Sequence, residues 1–157
     1  MTNVVKFRER CLSPYFNLFL FYKLPLAFLA GIRMVQFDES ICKTSIRFRW
    51  INQNPFKSIY FAAMQMAAEL CTGLLLFQYI NSDVKFSMLL VSVKSNFNKK
   101  AVGKIYFTCD GIKQANNFIE KVKHNDNGLT ETFNVSALNS SNEEVANFEF
   151  TWSCKKK

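Results

Sequence analysis

An α+β domain, with one long buried helix cradled by a curled and mostly antiparallel sheet, is the fold that the sequence predicts. Three observations predict it. The stretch from Ser58 to about Tyr79 is apolar on nearly every helical face, as a helix wrapped by other structure must be. Segments on both sides of it alternate apolar and polar residues with a period of two, which marks half-buried strands. Hydrophobic residues make up 49% of the 157 positions, and 17 of the 157 are Phe, so a packed core is available and disorder is disfavoured.

Taken in order, Ser13-Pro14 reads as a helix start, with Ser at the N-cap and Pro in the first turn. Tyr15 to Lys23 is helical, Pro25 breaks or kinks the helix, and Gly31 closes the segment. From Cys42 the period becomes two: Cys42, Thr44, Ile46, Phe48 and Trp50 alternate with Lys43, Ser45, Arg47 and Arg49. Asn52 to Phe56 is a turn-rich loop, and Ser58 is the expected N-cap of the long helix. Phe86 to Val93 is the next strand, and its Leu89-Leu90-Val91 run implies cover on both faces. Asn96 to Lys100 forms a turn, and Gly103 to Cys109 returns as a strand. Asp110-Gly111 starts a short helix with Ile112, Ala115, Ile119 and Val122 on one face. After the turn Asn125 to Gly128, Leu129 to Ala137 alternates, and Ala146 to Trp152 marks the last strand. The reading is one domain over 1–157, with a helical extension at 13–30 and a core at 31–153.

The net charge is +8, spread along the chain apart from the run Lys155 to Lys157. Such charge either forms a solvated surface or attracts an anionic ligand, and no nucleic-acid motif accompanies it. Cysteine occurs at 11, 42, 71, 109 and 154, an odd set without a Cys-x-x-Cys pair. Neither a disulfide framework nor a zinc or other metal site is indicated, and a reducing, cytoplasmic location is expected. The lone histidine, His124, stands in a polar turn, which leaves histidine-based catalysis without a good candidate. Tyr15 to Ala30 follows Lys6, Arg8 and Arg10 as a signal peptide would, but Asn17, Lys23 and Pro25 interrupt it. Ile59 to Ile80 is long enough to span a bilayer but carries Gln65, Glu69 and Gln78, so no membrane span is expected.

Glu69 is the one charge between Ser58 and Ser82. A carboxylate is expensive to bury, and acids are almost never fully buried without a partner or a task. Glu69 is therefore either a structural acid bonded to neighbouring groups or a functional one.

The residues around it carry a family resemblance. Asn54, then Tyr60-Phe61-Ala62 six residues later at the helix start, then Glu69 nine residues after Tyr60, keep the spacing of small acyl-CoA thioesterases. Those enzymes have Asn, His-Gly-Gly and an acid at the matching positions. On this motif, and over roughly Gly31 to Trp152, the chain resembles the hotdog-fold superfamily. It looks closest to a thioesterase-like branch of uncharacterised function with an extra N-terminal helix. The resemblance implies a five- or six-stranded antiparallel sheet around the central helix and dimers whose sites straddle the interface. It also implies that a backbone N–H at the helix start forms the oxyanion hole. The departures are Tyr60 in place of His and Phe61-Ala62 in place of Gly-Gly; bulky Phe61 stands where a thioester has to approach.

On that reading the catalytic candidates are Glu69, Asn54, Tyr60, Phe61, Ala62 and Thr72. The helix N-terminus near Phe61 and Ala62 polarises the carbonyl, and Glu69 acts as general base or nucleophile. Asn54 orients the loop or the carbonyl, Thr72 holds the water, and Tyr60 donates a hydrogen bond where the family uses His. The plainer readings are a turn-forming Asn54, a core Tyr60 and a structural Thr72. Lys94, Lys99 and Lys100, with Lys104, flank a strand-connecting turn and meet either solvent or the phosphates of coenzyme A. Nine residues along a helix are about 13 Å of rise and about 180° of rotation, so one chain cannot aim both Glu69 and the helix tip at one carbonyl. A homodimer, or a dimer of dimers, is expected. The competing function is non-catalytic binding of a fatty acyl or other apolar ligand. A hydratase needs a His and acid pair and is disfavoured. The N-terminal helix either packs or forms a lid over an acyl pocket.

Overall fold

The computed structural model describes residues 3–80 and 85–157. Helix α1 (Asn3–Leu12) leads into α2 (Tyr15–Lys23) and α3 (Pro25–Ala30), and the strands β1 (Arg33–Phe37) and β2 (Cys42–Arg47) follow. A 3-10 turn (Trp50–Asn52) precedes the long helix α4 (Phe61–Phe77). Then come β3 (Phe86–Phe97), β4 (Lys104–Cys109), α5 (Ile112–Lys123), β5 (Leu129–Asn139) and β6 (Glu144–Lys156). The six strands form one antiparallel sheet in the order β1-β2-β4-β5-β6-β3, so β1 and β3 are its two edges.

Helix α4 lies across the sheet against β2, β4, β5 and β6, and buries residues on most of its circumference. Small residues let it approach closely. Ala67 and Ala68 are fully buried, and the Thr44 hydroxyl donates to the Ala67 carbonyl at 2.7 Å. The Cys71 thiol donates to the Phe107 carbonyl at 3.4 Å. Phe107, Phe133, Phe148 and Phe150 fill the layer between helix and sheet. Helix α5 covers one end with Ile112, Ala115, Phe118, Ile119 and Val122. Gly111 precedes it because a Cβ there would stand 2.8 Å from the Phe133 ring.

The N-terminal part follows the kinked pattern that the sequence predicts. Pro25 starts α3 after the break at Leu24, and Gly31 closes it in the left-handed region at φ 81°. Ser13 differs from expectation: its hydroxyl donates to the Arg10 carbonyl at 2.7 Å and so caps the end of α1 rather than the start of α2. Helix α1 and strand β1 were not foreseen. Phe7 of α1 packs edge-on against Phe37 of β1, and Arg8 Nε donates to Gln78 Oε1 at 2.8 Å near the end of α4. Three further expectations need correction. β2 ends at Arg47, because the chain turns into the 3-10 segment and leaves Trp50 in solvent. α4 starts at Phe61, because Ser58 is held in the preceding turn. Leu89-Leu90-Val91 lies on an edge strand, where Leu89 and Val91 are exposed rather than covered on both faces.

Candidate active site

Glu69 projects from the middle of α4 into a cleft that α2 and α3 roof over. Two adjoining cavities, of about 350 and 260 Å³, share Glu69, Lys23, Leu24 and Leu70. The larger one adds Phe19, Met88 and Trp152, and reaches a third cavity of about 470 Å³ through Phe19 and Leu74. The three form a mainly apolar trough along the seam between α2 and α4. The carboxyl fits because Gly73, one turn on, has no side chain: a Cβ there would lie 3.0 Å from Glu69 Oε1 and 3.5 Å from the Trp152 ring. Among the described residues the Glu69 carboxyl forms no hydrogen bond and no ion pair. Burial without compensation disfavours the charged form and pushes its pKa up to about 7.

Thr72 stands apart from this trough. Its hydroxyl donates to the Glu69 backbone carbonyl at 3.0 Å and accepts from Trp152 Nε1 at 3.0 Å, in the buried seam between α4 and β6. That pins the turn of α4 that carries Glu69.

The remaining candidates gather around the start of α4, where a cavity of about 510 Å³ is lined by Asn54, Tyr60, Phe61, Phe97, Lys99 and Lys100 among others. Asn54 organises the loop. Its Oδ1 accepts from the Phe56 and Ser58 N–H groups at 3.0 and 3.2 Å, and its own N–H donates to the Ser58 carbonyl at 2.9 Å. That closed turn delivers the chain to Tyr60, the N-cap of α4, whose extended backbone is fixed by an N–H bond to the Asn52 carbonyl at 2.8 Å. No side chain caps this helix end, and the Phe61 and Ala62 N–H groups have no partner among the described residues. The Tyr60 hydroxyl is likewise without a partner there, and its ring packs at 4.7 Å against Phe61. Lys99 pairs with Glu143 at 2.8 Å and Lys100 reaches the Phe56 carbonyl at 3.4 Å, both on the rim. Lys94 lies elsewhere on β3, paired with Glu149 at 2.9 Å across the register of β6.

The candidates thus fall in two places: donors at the tip of α4 without a partner among the described residues, and a carboxyl raised by burial in the trough under α2. Asn54, Tyr60, Phe61, Lys99 and Lys100 come together, and Glu69 lines a different cavity. Lys23, Gly73 and Trp152 line the cavity with Glu69 and were missed by sequence reasoning. Gly73 alone left a trace there, as a residue four after an acid in an apolar helix.

Residues 13–154 match the family described as domain of unknown function (DUF4442). No curated protein matches the chain. Among solved structures, a Pseudomonas aeruginosa protein described as of unknown function and a probable thioesterase superposes with a TM-score of 0.78 at 16% identity. The match covers 93% of this chain and 97% of that one. A thioesterase from Haemophilus influenzae gives 0.67 at 12% identity, covering 90% and 88%. A mutant thioesterase from Staphylococcus aureus gives 0.65 at 15% identity, covering 83% and 98%. Together with the curled antiparallel sheet around α4, these neighbours make the fold a hotdog fold.

Proposed function

We propose that this chain, which belongs to the DUF4442 family, hydrolyses acyl thioesters as a homodimer, each site pairing the α4 tip of one protomer with Glu69 of the other. The observation that carries the reading is the placement of the two half-sites along β3. Phe97, at the end of that strand, lines the cavity at the helix tip, and Met88, near its beginning, lines the Glu69 trough. β3 is a free sheet edge of 12 residues with Leu89, Val91 and Val93 exposed, an invitation to pair with another strand. Antiparallel pairing with its own copy, about a two-fold axis between Ser92 and Val93, sets Met88 opposite the second protomer's Phe97. The helix tip of one protomer then approaches the acid of the other.

In such a site the Phe61 and Ala62 N–H groups polarise the thioester carbonyl, with the Tyr60 hydroxyl as a third donor. Glu69 takes a proton from water as the water oxygen attacks the carbonyl carbon. The tetrahedral intermediate then collapses, the carbon–sulfur bond breaks, and the thiolate leaves with the proton that Glu69 had taken. A carboxyl near 7 suits both halves of that transfer at neutral pH. The apolar trough takes the acyl chain, and Lys99 and Lys100 meet the phosphates of coenzyme A. Asn54 and Thr72 serve as positioning residues, one for the loop before Tyr60 and one for the turn that bears Glu69.

Phe61, half-exposed at the helix tip, favours the second reading, a binder that holds an acyl chain without cleaving it. One assay separates the two. Purified protein is given acyl-CoA thioesters of graded chain length, beside Glu69→Ala and Glu69→Gln. Thiol release by the wild type, reduced at least about a hundredfold in both variants, is the expected result. Equal release by all three sinks the role of Glu69, and bound acyl ligand without turnover favours the binder.

A further inference from the structure

The sequence is charge-asymmetric in a way that the chemistry above does not use. From Cys11 to Ala68 the acids are Asp38 and Glu39, whereas Lys23, Arg33, Lys43, Arg47, Arg49 and Lys57 are basic. The fold gathers part of this stretch on one flank. Helices α2 and α3 and the 3-10 turn are tied together there. Asn52 Nδ2 donates to the Ala30 carbonyl at 2.9 Å and to the Arg47 carbonyl at 2.8 Å, and the Arg49 guanidinium lies against Gly31. The sides of these elements that face away from the core are apolar: Tyr22 is 71% exposed, Leu26 69%, Leu29 52% and Trp50 82%.

Large apolar side chains so exposed on three neighbouring elements mark a contact surface rather than scatter. The charges beside them are cationic. Lys23 ends α2, the Arg33 guanidinium stacks on the Phe28 ring of α3 at 5.7 Å, and Arg49 sits beside Gly31. Tyr22 and Trp50 are amphipathic rings of the kind that settle at lipid headgroups. Helices of 9 and 6 residues are too short to cross a bilayer, and among the described residues no helix is long and apolar enough to do so. They are suited to lying in its surface. Within the flank, α3 leads into β1 and the 3-10 turn leaves β2, both at the sheet edge opposite β3.

We propose that the flank formed by α2, α3 and the 3-10 turn docks on an anionic lipid bilayer, with Leu26, Leu29 and Trp50 inserted among the headgroups. The basic side chains around it face the lipid phosphates, and charge complementarity selects that occupant over a second copy of an equally cationic flank. Lys23 and Leu26 also line the smaller cavity beside Glu69, but the test of the proposal contains no thioester, so its outcome is read apart from the chemistry there.

The full chain is sedimented with vesicles of phosphatidylcholine alone and of phosphatidylcholine mixed with phosphatidylglycerol, at low and high salt. The expected result is binding to the anionic vesicles that weakens as salt rises, with little binding to phosphatidylcholine. Leu26→Glu with Leu29→Glu lowers that binding at least about tenfold, and Arg49→Gln lowers it about fivefold. These positions are on the surface, and circular dichroism checks that each variant is folded. No binding to anionic vesicles at low salt overturns the proposal, as does full binding by the folded double variant. A double variant that falls to a smaller oligomer, in a chain that does not bind vesicles, makes the flank a protein interface and overturns it as well.

Discussion

Burial holds the Glu69 carboxyl up to about 7, and the sign of that shift makes the residue visible in a stability measurement. A carboxyl raised in the folded state contributes its full stability when protonated, below the ordinary carboxylate range. It loses that contribution as pH rises from there through about 7. Glu69→Gln, which never ionises, is therefore predicted to match the wild type near pH 4. At pH 8 it should be more stable by about 1–3 kcal/mol, read from denaturant midpoints at the two pH values. Equal stability across the range contradicts an uncompensated acid. Lys99 and Lys100 are exposed, and their pairings contribute little to stability. Lys99→Glu with Lys100→Glu is predicted to raise KM for acyl-CoA severalfold at low salt, with the difference shrinking at high salt. An unchanged KM removes coenzyme A phosphates from that rim. Glu69 was legible in the sequence because a lone acid in an apolar helix has few innocent explanations. Trp152 and Lys23 were not, since only the folding of β6 and α2 against α4 brings them near it.

Among the elements, β3 is where a local pattern misled and the topology explains why. Leu89-Leu90-Val91 has the apolar run of a strand covered on both faces, yet β3 pairs only with β6 and leaves its other edge open. An apolar run of this kind marks a strand covered on both faces only when neighbours lie on each side, and at the sheet edge the same run stays exposed at Leu89 and Val91. Val91→Lys with Val93→Lys places charges on this edge. The variant is predicted to sediment as a monomer and to lose activity, while its circular dichroism stays unchanged. A dimer that persists with those charges excludes β3 as the contact. Helix α4 was the easiest element to read, from its uninterrupted apolar faces, and its start moved from Ser58 to Phe61 because Asn54 binds Ser58 back into the turn. β1 is five residues long, and the apolar side of α1, Val4, Phe7 and Cys11, is interrupted by the charged run Arg8-Glu9-Arg10, one member of which is itself buried.

On the scale of the whole molecule, a curled sheet about one helix was legible from the strand and helix patterns, the order of the strands within the sheet was not, and helix geometry already separated Tyr60 from Glu69. About two and a half helical turns separate Tyr60 from Glu69 and set them on opposite sides of α4, and in the structure the two line separate cavities. What periodicity could not convey was the trough, which exists only because α2 and α3 fold back over α4. The central claim is that each site takes one half from each protomer, and mixed dimers test it most directly. Glu69→Ala removes the acid, and Phe61→Pro removes a donor at the first helical position, where proline is tolerated. Each homodimer is predicted to be inactive. Unfolding and remixing the two forms mixed dimers that hold one intact composite site, so about a quarter of wild-type activity returns. Mixed dimers that form and stay inactive contradict the account.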